Sequence, residues 1–266
     1  MVSGDDAILR VPSMTPMMAY HSITRWSGTL GVCAIVAVIR PAHADPRAVV
    51  ELFTSQGCSS CPPADKIIGE LAKDPNVIAL SLPIDYWDYL GWKDTLATPG
   101  HTARQKAYSQ VRGDREIYTP QVVVNGVAQA IGSDRGQIEH AIAQSRNNAS
   151  SLSVPLHVAV ADARVTATLP NHQGGEPAVG EVWLCALSRS VSVGVTRGEN
   201  RGHTITYTNV VRRWIKLGTW SGKSETFTVP IDAVKSDGID AVAVILQSGS
   251  MEKPGAMLGA SLALLH

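Results

Sequence analysis

Two cysteines three residues apart are the side chains of this sequence best suited to chemistry. Cys58 and Cys61 follow a short apolar run at 48–53, which predicts a buried strand, and they precede a segment with helical periodicity. This order places Cys58 at the N-terminus of a helix, where unpaired amide groups and the helix dipole favour an anion. The thiolate is the attacking species in thiol–disulfide exchange. The motif therefore predicts a dithiol in which Cys58 attacks and Cys61 resolves the mixed disulfide.

Two other uses of the pair stay open. Structural zinc needs four ligands, usually cysteine and histidine at close spacing. Beyond residue 44, however, Cys185 is the one further cysteine, and His101, His140 and His203 are isolated in the sequence. A purely structural disulfide would close a very small loop and would add little stability in that way. We therefore expect no metal at the pair and favour a redox role.

The pattern around the pair predicts an α/β domain at 45–146. Apolar β-branched runs indicate strands, apolar residues at 3–4 spacing indicate helices, and Asn125-Gly126 is typical of a hairpin turn. A polar and aromatic stretch at 86–117 interrupts this order and is expected to carry an inserted helix. The predicted strands cover 48–53, 77–84, 122–124 and 127–131, and the predicted helices begin near residue 59 and cover 99–112 and 137–144.

The chain changes in character after a polar linker at 147–153. Residues 154–266 contain short alternating segments separated by Gly, Pro, Asn and Asp, and helical periodicity is scarce there. This spacing is typical of an antiparallel β-sandwich. The expected architecture is therefore an α/β domain followed by a smaller all-β domain.

The first 44 residues have the pattern of a secretory signal peptide. An uncharged, largely apolar run at 27–39 follows an arginine and precedes an Ala-x-Ala sequence that ends at Ala44. This run is shorter than the roughly 20 residues of a membrane span, so we expect a signal peptide cleaved near Ala44. An uncleaved membrane anchor is the alternative. The mature protein is expected to be periplasmic or secreted, without a membrane segment, in a compartment where disulfides persist.

The overall composition excludes several classes of protein. The 23 Lys and Arg residues equal the 23 Asp and Glu residues, so the formal net charge is zero. A chain without a basic field is a poor sequence-independent binder of nucleic acid. Hydrophobic residues make up 44% of the chain, which fits a packed core, and four cysteines are too few for a disulfide scaffold of this length.

The resemblance of this chain to a known family rests on four segments, ELFTSQGCSSCPPAD, IDYWDYLGW, YTPQVVVNG and RGENRGHTITYTNVVR. The order strand, CxxC, helix, strand, inserted helix, Thr-Pro, hairpin and helix resembles the thioredoxin superfamily across about 48–146. The four segments more closely resemble a family of secreted bacterial thioredoxin-like proteins of unknown function. This resemblance implies the fold and the compartment, and it implies an activity by analogy alone.

The resemblance also implies roles for single residues. Cys58 matches the nucleophile, Cys61 the resolving thiol and Pro120 the cis-proline beside the dithiol. Thr119, which precedes Pro120, would offer its backbone to an extended substrate peptide. Glu51, seven residues before Cys58, matches a buried carboxylate that accepts the proton of the resolving cysteine. A shift of one residue along the strand would instead turn Glu51 outward.

Three further features have two interpretations each. Trp87 and Trp92 belong to a cluster of four aromatic residues in seven, which forms either a substrate-binding wall or a lid packed on the core. The polar loop at 197–203 either folds over the dithiol or is a mobile hairpin tip. Cys185, within an apolar run, is expected to be a buried thiol rather than a third redox centre.

The function favoured by these observations is an extracytoplasmic thiol–disulfide oxidoreductase. Its redox group is the Cys58–Cys61 pair, so no cofactor is expected. The expected partners are a protein or small thiol or disulfide substrate and a redox partner protein that regenerates the pair. One alternative is a metal-handling protein that binds Cu(I) through the two soft thiolates. Another is a binding module in which the β domain recognises a partner and the disulfide is structural.

Overall fold

The structure is a computed structural model that describes residues 45–173 and 179–265. The predicted signal peptide lies outside the described residues. Across these two ranges, no helix is long and apolar enough to cross a membrane. The helices are α1 (Pro62–Leu71), α2 (Pro99–Arg112) and α3 (Arg135–Ser145). The strands are β1 (Ala48–Thr54), β2 (Val77–Pro83), β3 (Gln121–Val124), β4 (Ala128–Ile131), β5 (His157–Ala161), β6 (Arg164–Leu169), β7 (Gly180–Gly194), β8 (Thr204–Trp220), β9 (Glu225–Pro230), β10 (Ala241–Gly249) and β11 (Pro254–Leu264).

A large sheet with few helices gives the protein a mixed α/β fold. Eight strands lie in the order β11-β10-β7-β8-β2-β1-β3-β4, and β5, β6 and β9 form a second, three-stranded sheet. β1 pairs with β2 in parallel and with β3 antiparallel, and every residue of β1 is buried. The element order predicted for the first half of the chain, strand, helix, strand, helix, two strands and helix, is present in the structure.

The two halves of the sequence contribute to the same eight-stranded sheet. β2 and β8 meet in parallel at the Ser81–Val210 pair. Side chains reinforce this short junction, because the Ser81 hydroxyl donates to the Thr208 carbonyl at 2.8 Å and the Asn209 amide donates to the Ala79 carbonyl at 2.9 Å. Strands of both halves therefore share one sheet. The division into an α/β domain and an all-β domain stays a prediction.

The two faces of β1 pack against different helices. Side chains of strand residues alternate between the faces of a sheet. Val50 and Leu52 join a core cluster that contains α1 and α3, whereas Val49 and Phe53 join a cluster that contains Tyr108 of α2. A side chain of β1 therefore reaches either α1 or α2, according to its position in the strand.

The N-terminus of α1 follows β1 after a tight turn. The Cys58 amide donates to the Ser55 carbonyl at 3.2 Å, and Cys61 is the N-cap residue of the helix. Pro62 and Pro63 occupy the first helical positions, where a missing amide hydrogen costs no helical hydrogen bond. The four buried positions of α1 are Ala64, Asp65, Ile68 and Leu71, so one face of the helix packs on the sheet.

Candidate redox site

The site is built around a disulfide between Cys58 and Cys61 at the junction of β1 and α1. The Cys61 amide donates to the Cys58 carbonyl at 3.2 Å, which closes the turn between the two cysteines. Cys58 is 3% exposed and Cys61 is fully buried, whereas Ser59 and Ser60 face solvent. A reactant must therefore approach the disulfide from the side of Cys58.

Thr119 and Pro120 lie beside the disulfide. The Ser60 hydroxyl is 3.4 Å from the Cys58 sulfur and donates to the Thr119 carbonyl at 3.4 Å. The Thr119–Pro120 peptide bond is cis. An open cavity of about 460 Å³ adjoins these residues, and its lining includes Ser60, Thr119, Pro120 and the apolar side chain of Ile131. A cavity of this size is in the range of small-ligand sites, and it reaches the exposed serine of the motif.

Trp87 and Trp92 hold the segments that surround the motif. The Trp87 indole donates to the Thr119 hydroxyl at 2.7 Å, and the Trp92 indole donates to the Gln56 side chain at 2.8 Å. Both indoles also pack against apolar core clusters. Tyr89, in contrast, is exposed and stacks on Trp87. The aromatic cluster thus positions the backbone beside the disulfide, and Tyr89 extends it into solvent.

The hairpin tip between β7 and β8 covers the motif. The Asn200 amide donates to the carbonyls of Gln56 and Cys58, each at 2.9 Å, and Asn200 is buried by this contact. Beside it, the Glu199 carboxylate accepts a hydrogen bond from the Ser59 amide at 3.2 Å. The polar loop at 197–203 therefore folds over the cysteine pair and contacts the backbone of Gln56, Cys58 and Ser59.

Glu51 is buried, but it faces α2 and not α1. Its two carboxylate oxygens are occupied, because Arg104 donates to one at 2.7 Å and the Tyr108 hydroxyl donates to the other at 2.7 Å. The Arg104 guanidinium also bonds Gln247 at 2.9 Å and lies 4.5 Å from the centre of the Trp214 ring. This arrangement makes Glu51 part of a buried ion-pair network, so it does not favour the predicted role as proton acceptor for Cys61.

Residues 49–247 match the family described as "Protein of unknown function (DUF1223)". The chain belongs to this family. A crystal structure of a protein from Agrobacterium tumefaciens is similar, with 32% identity and a TM-score of 0.74 over 84% of this chain and 96% of that chain. The sequence-based assignment to a family of unknown function is confirmed.

Two other similarities are more distant. HBP35 of Porphyromonas gingivalis shares 13% identity at a TM-score of 0.53, over 83% of this chain and 76% of that chain, which is a likeness of fold alone. A probable thioredoxin of Archaeoglobus fulgidus is 40% identical over 37 residues, which are 14% of this chain. The match spans 41% of that thioredoxin, so it concerns less than half of its length.

The sequence interpretation missed Asp65, the buried carboxyl group on α1. Asp65 is 2% exposed, and within the described ranges neither of its carboxyl oxygens has a hydrogen-bond partner at normal geometry. Burial raises the pKa of Asp65 well above its ordinary value; a contact with the Thr54 hydroxyl opposes this shift and the charge of Asp94 adds to it. One signal in the sequence was available, because Asp65 lies in the apolar stripe formed with Ile68 and Leu71.

Cys185 lies in the apolar core, away from the surface. It is a free, fully buried thiol on β7, as its apolar sequence context predicted. Burial raises the pKa of the Cys185 thiol well above its usual value, which outweighs the opposite effect of the Arg104 charge. A neutral buried thiol is a weak nucleophile. For the residues that the structure describes, no cluster of three or more His, Cys, Asp or Glu side chains is placed to hold a metal ion.

Proposed function

We propose that this protein is an extracytoplasmic thiol–disulfide oxidoreductase with a thioredoxin-like site. The observation that carries the proposal is the Cys58–Cys61 disulfide at a strand-to-helix junction, with a cis-proline segment and a cavity beside it. Thiolates at a helix N-terminus are stabilised by unpaired amide groups. The 37-residue similarity to a probable thioredoxin supports the same chemistry.

The reaction is an exchange of disulfide bonds that needs no further cofactor. The Cys58 thiolate attacks a substrate disulfide, so the Cys58–substrate bond forms, the substrate disulfide breaks and one substrate thiolate leaves. The Cys61 thiolate then attacks the Cys58 sulfur, and the second substrate thiol is released. The protein loses two electrons and the substrate gains them; the reverse sequence oxidises a dithiol substrate. A redox partner protein returns the pair to its starting state.

The cavity beside Ser60 is the proposed place for the substrate. An extended peptide there lies next to the Thr119 backbone, whose position is held by Trp87. The substrate is a protein or a small thiol or disulfide. We propose a periplasmic or secreted location after removal of residues 1–44, because an oxidised Cys58–Cys61 pair persists in such compartments.

A structural disulfide is the second candidate role, and one observation favours it. Both sulfur atoms are shielded, and the Asn200 contacts hold the hairpin over them. In this case the disulfide would resist exchange, and the protein would act as a binding module. For the oxidoreductase, the hairpin must release Cys58 during the reaction.

The proposed function is tested by trapping the mixed disulfide. Reduced protein carrying Cys61→Ser is mixed with oxidised glutathione, and the products are measured by intact-protein mass spectrometry. We expect one glutathione on Cys58, because the resolving thiol is absent. Cys185→Ser, the control, should cycle like the parent protein, since Cys185 is buried in the core. Absence of an adduct on Cys61→Ser would reject the oxidoreductase and leave the structural disulfide.

A further inference from the structure

The hairpin tip between β7 and β8, the polar loop at 197–203, is tied to the redox motif by three side-chain hydrogen bonds. The Asn200 amide donates to the carbonyls of Gln56 and Cys58, each at 2.9 Å. The Ser59 amide donates to the Glu199 carboxylate at 3.2 Å. These bonds hold the tip on the backbone before and after Cys58, the less buried of the two cysteines.

The tip is a unit of its own and is anchored at its two ends. Within it, the His203 amide donates to the Asn200 carbonyl at 3.1 Å. Val195 and Ile205, which flank the tip, are buried in an apolar cluster separate from the main core clusters. Opening of the tip therefore costs the three hydrogen bonds to the motif but leaves the packing of these two residues in place.

Glu199 is the acidic residue of the tip, and its carboxylate lies where a charge appears on reduction. In the disulfide, both sulfur atoms are neutral. In the reduced pair, a Cys58 thiolate carries a negative charge on the residue next to Ser59, whose amide bonds to Glu199. Like charges at close range repel each other, and both would be stabilised by the same amide groups ahead of α1. Reduction therefore weakens the contact of Glu199 with the motif.

Glu199 differs from the other charged groups near the motif by its direct contact. Among the hydrogen bonds of the described residues, it is the one charged side chain that reaches the backbone of residues 58–61. Exposed charges without such a contact are screened by solvent and salt. The other charged or titratable side chains that line the adjoining cavities or belong to the tip are Lys66, His203, Asp65, Glu116, Arg197 and Arg201.

We propose that Glu199 is a redox-sensitive latch, which holds the hairpin tip on the oxidised motif and releases it when Cys58 becomes a thiolate. This inference rests on the proposed function. On reduction by a thiol such as glutathione, the Cys58–Cys61 bond breaks and a disulfide forms between two glutathione molecules, which supply two electrons and two protons. Cys61 takes one proton, the other goes to solvent, and Cys58 remains as the thiolate that opens the tip.

The latch gives the two redox states different properties. Coupling between two events is reciprocal, so a thiolate that weakens the latch is itself disfavoured by the closed latch to the same degree. Glu199 thus makes the disulfide harder to reduce, and the reduced protein presents an uncovered Cys58 to a disulfide substrate. Both effects favour the transfer of electrons from this protein to its substrate, so the latch indicates a reductant.

The first test is the equilibrium constant for reduction of the pair by glutathione, at about pH 8, where a thiolate at a helix N-terminus is formed. Glu199→Gln keeps an oxygen that can accept from the Ser59 amide but removes the charge. We expect the constant to rise about fivefold, the upper end of what an exposed charge contributes. Glu70→Gln, an exposed carboxyl-to-amide change at the other end of α1, should match the parent protein. An unchanged constant in Glu199→Gln overturns the latch.

The second test measures release of the tip by limited trypsin digestion. Arg197 and Arg201 are trypsin sites within the tip, and cleavage there reports the population of the open form. At about pH 8, parent protein reduced with a phosphine should be cut about fivefold faster than oxidised parent protein. Cys58→Ser has neither disulfide nor thiolate, so it should be cut at the slow rate of the oxidised parent. Fast cleavage of Cys58→Ser would show that loss of the cross-link frees the tip, and it would overturn the latch.

The outcomes separate the latch from the proposed function. Chemical reduction replaces disulfide exchange in the trypsin test. Equal cleavage of the oxidised and reduced parent protein therefore rejects the latch even if Cys61→Ser forms the glutathione adduct, and the oxidoreductase then stands. If Cys61→Ser forms no adduct, the oxidoreductase fails, and the inference fails with it.

Discussion

Neutralising Glu51 should destabilise the protein strongly without disturbing the cysteine pair. In Glu51→Gln the buried guanidinium of Arg104 loses its counter-charge, and breaking a buried ion pair in this way costs about 3–5 kcal/mol. Arg104 keeps two neutral acceptors, Tyr108 and Gln247, and its contact with the Trp214 ring. We therefore expect a loss of about 3 kcal/mol in the free energy of unfolding, at the lower end of this range.

The assay is urea unfolding with the disulfide intact, monitored by circular dichroism. The matched control is Glu70→Gln, which breaks the pair between Glu70 and Arg135; these side chains are 57% and 49% exposed. Exposed pairs contribute about 1 kcal/mol or less. The proposed cost of breaking the buried ion pair is refuted if the free energy of unfolding of Glu51→Gln lies within about 1 kcal/mol of that of Glu70→Gln. It is also refuted if replacing Arg104 by Met in the Glu51→Gln background costs further stability instead of restoring part of it.

Three further predictions concern pH and access. Because the folded-state pKa of Asp65 is raised, its stabilising contribution is present below the unfolded pKa of 3.8 and is lost as pH rises through the folded pKa. Urea unfolding at neutral pH should therefore show Asp65→Asn to be more stable than the parent protein. A less stable variant contradicts this prediction. Burial lowers the pKa of His101 to about 4, so the parent should lose on the order of 3 kcal/mol between about pH 6.5 and 4 through this group, and His101→Gln should lose correspondingly less over that window. Asn200→Ala removes two hydrogen bonds from the hairpin to the carbonyls of Gln56 and Cys58, each worth about 1 kcal/mol. Because about 2 kcal/mol in total corresponds to a factor of about 30, reduction of the disulfide by dithiothreitol should become about 30-fold faster. An unchanged rate would show that the hairpin does not limit access to the disulfide.

The local structure at the motif could be predicted because its signals are local. The apolar run of β1, the cysteine pair and the prolines of α1 follow one another without a gap, and each indicates its own element. The same holds for the hairpin after β3. Asn125 and Gly126 both have positive φ, at 50° and 74°, as a type I′ turn requires. These elements could thus be predicted from the sequence, because their residue types have conformational preferences of their own.

The joining of the two halves could not be predicted in this way. The alternating segments of the second half indicate strands, but alternation does not reveal which strand edge lies beside which other edge. β8 pairs with β2 over one residue pair, and side chains of Ser81 and Asn209 complete the junction. Such long-range pairing depends on the packing of the whole sheet, which no short window of sequence contains.

The surroundings of Glu51 and of Asp65 show the same limit at the site. The sequence placed Glu51 on the strand before the motif, and burial on that strand is what the structure shows. Which face of the strand meets α1 depends on the positions of α1 and α2, and Glu51 faces α2. The burial of Asp65 was indicated in the sequence by its place in an apolar helical stripe. Its position near the helix N-terminus, however, also fits an ordinary acidic residue of a first helical turn.

The most direct test of the central claim is the equilibrium reduction potential of the Cys58–Cys61 pair, measured by titration of the protein against glutathione. We expect a potential above about −280 mV, within the range of exchanging pairs, and loss of the redox transition in Cys58→Ser. A potential below about −300 mV would mark a structural disulfide and would contradict the oxidoreductase.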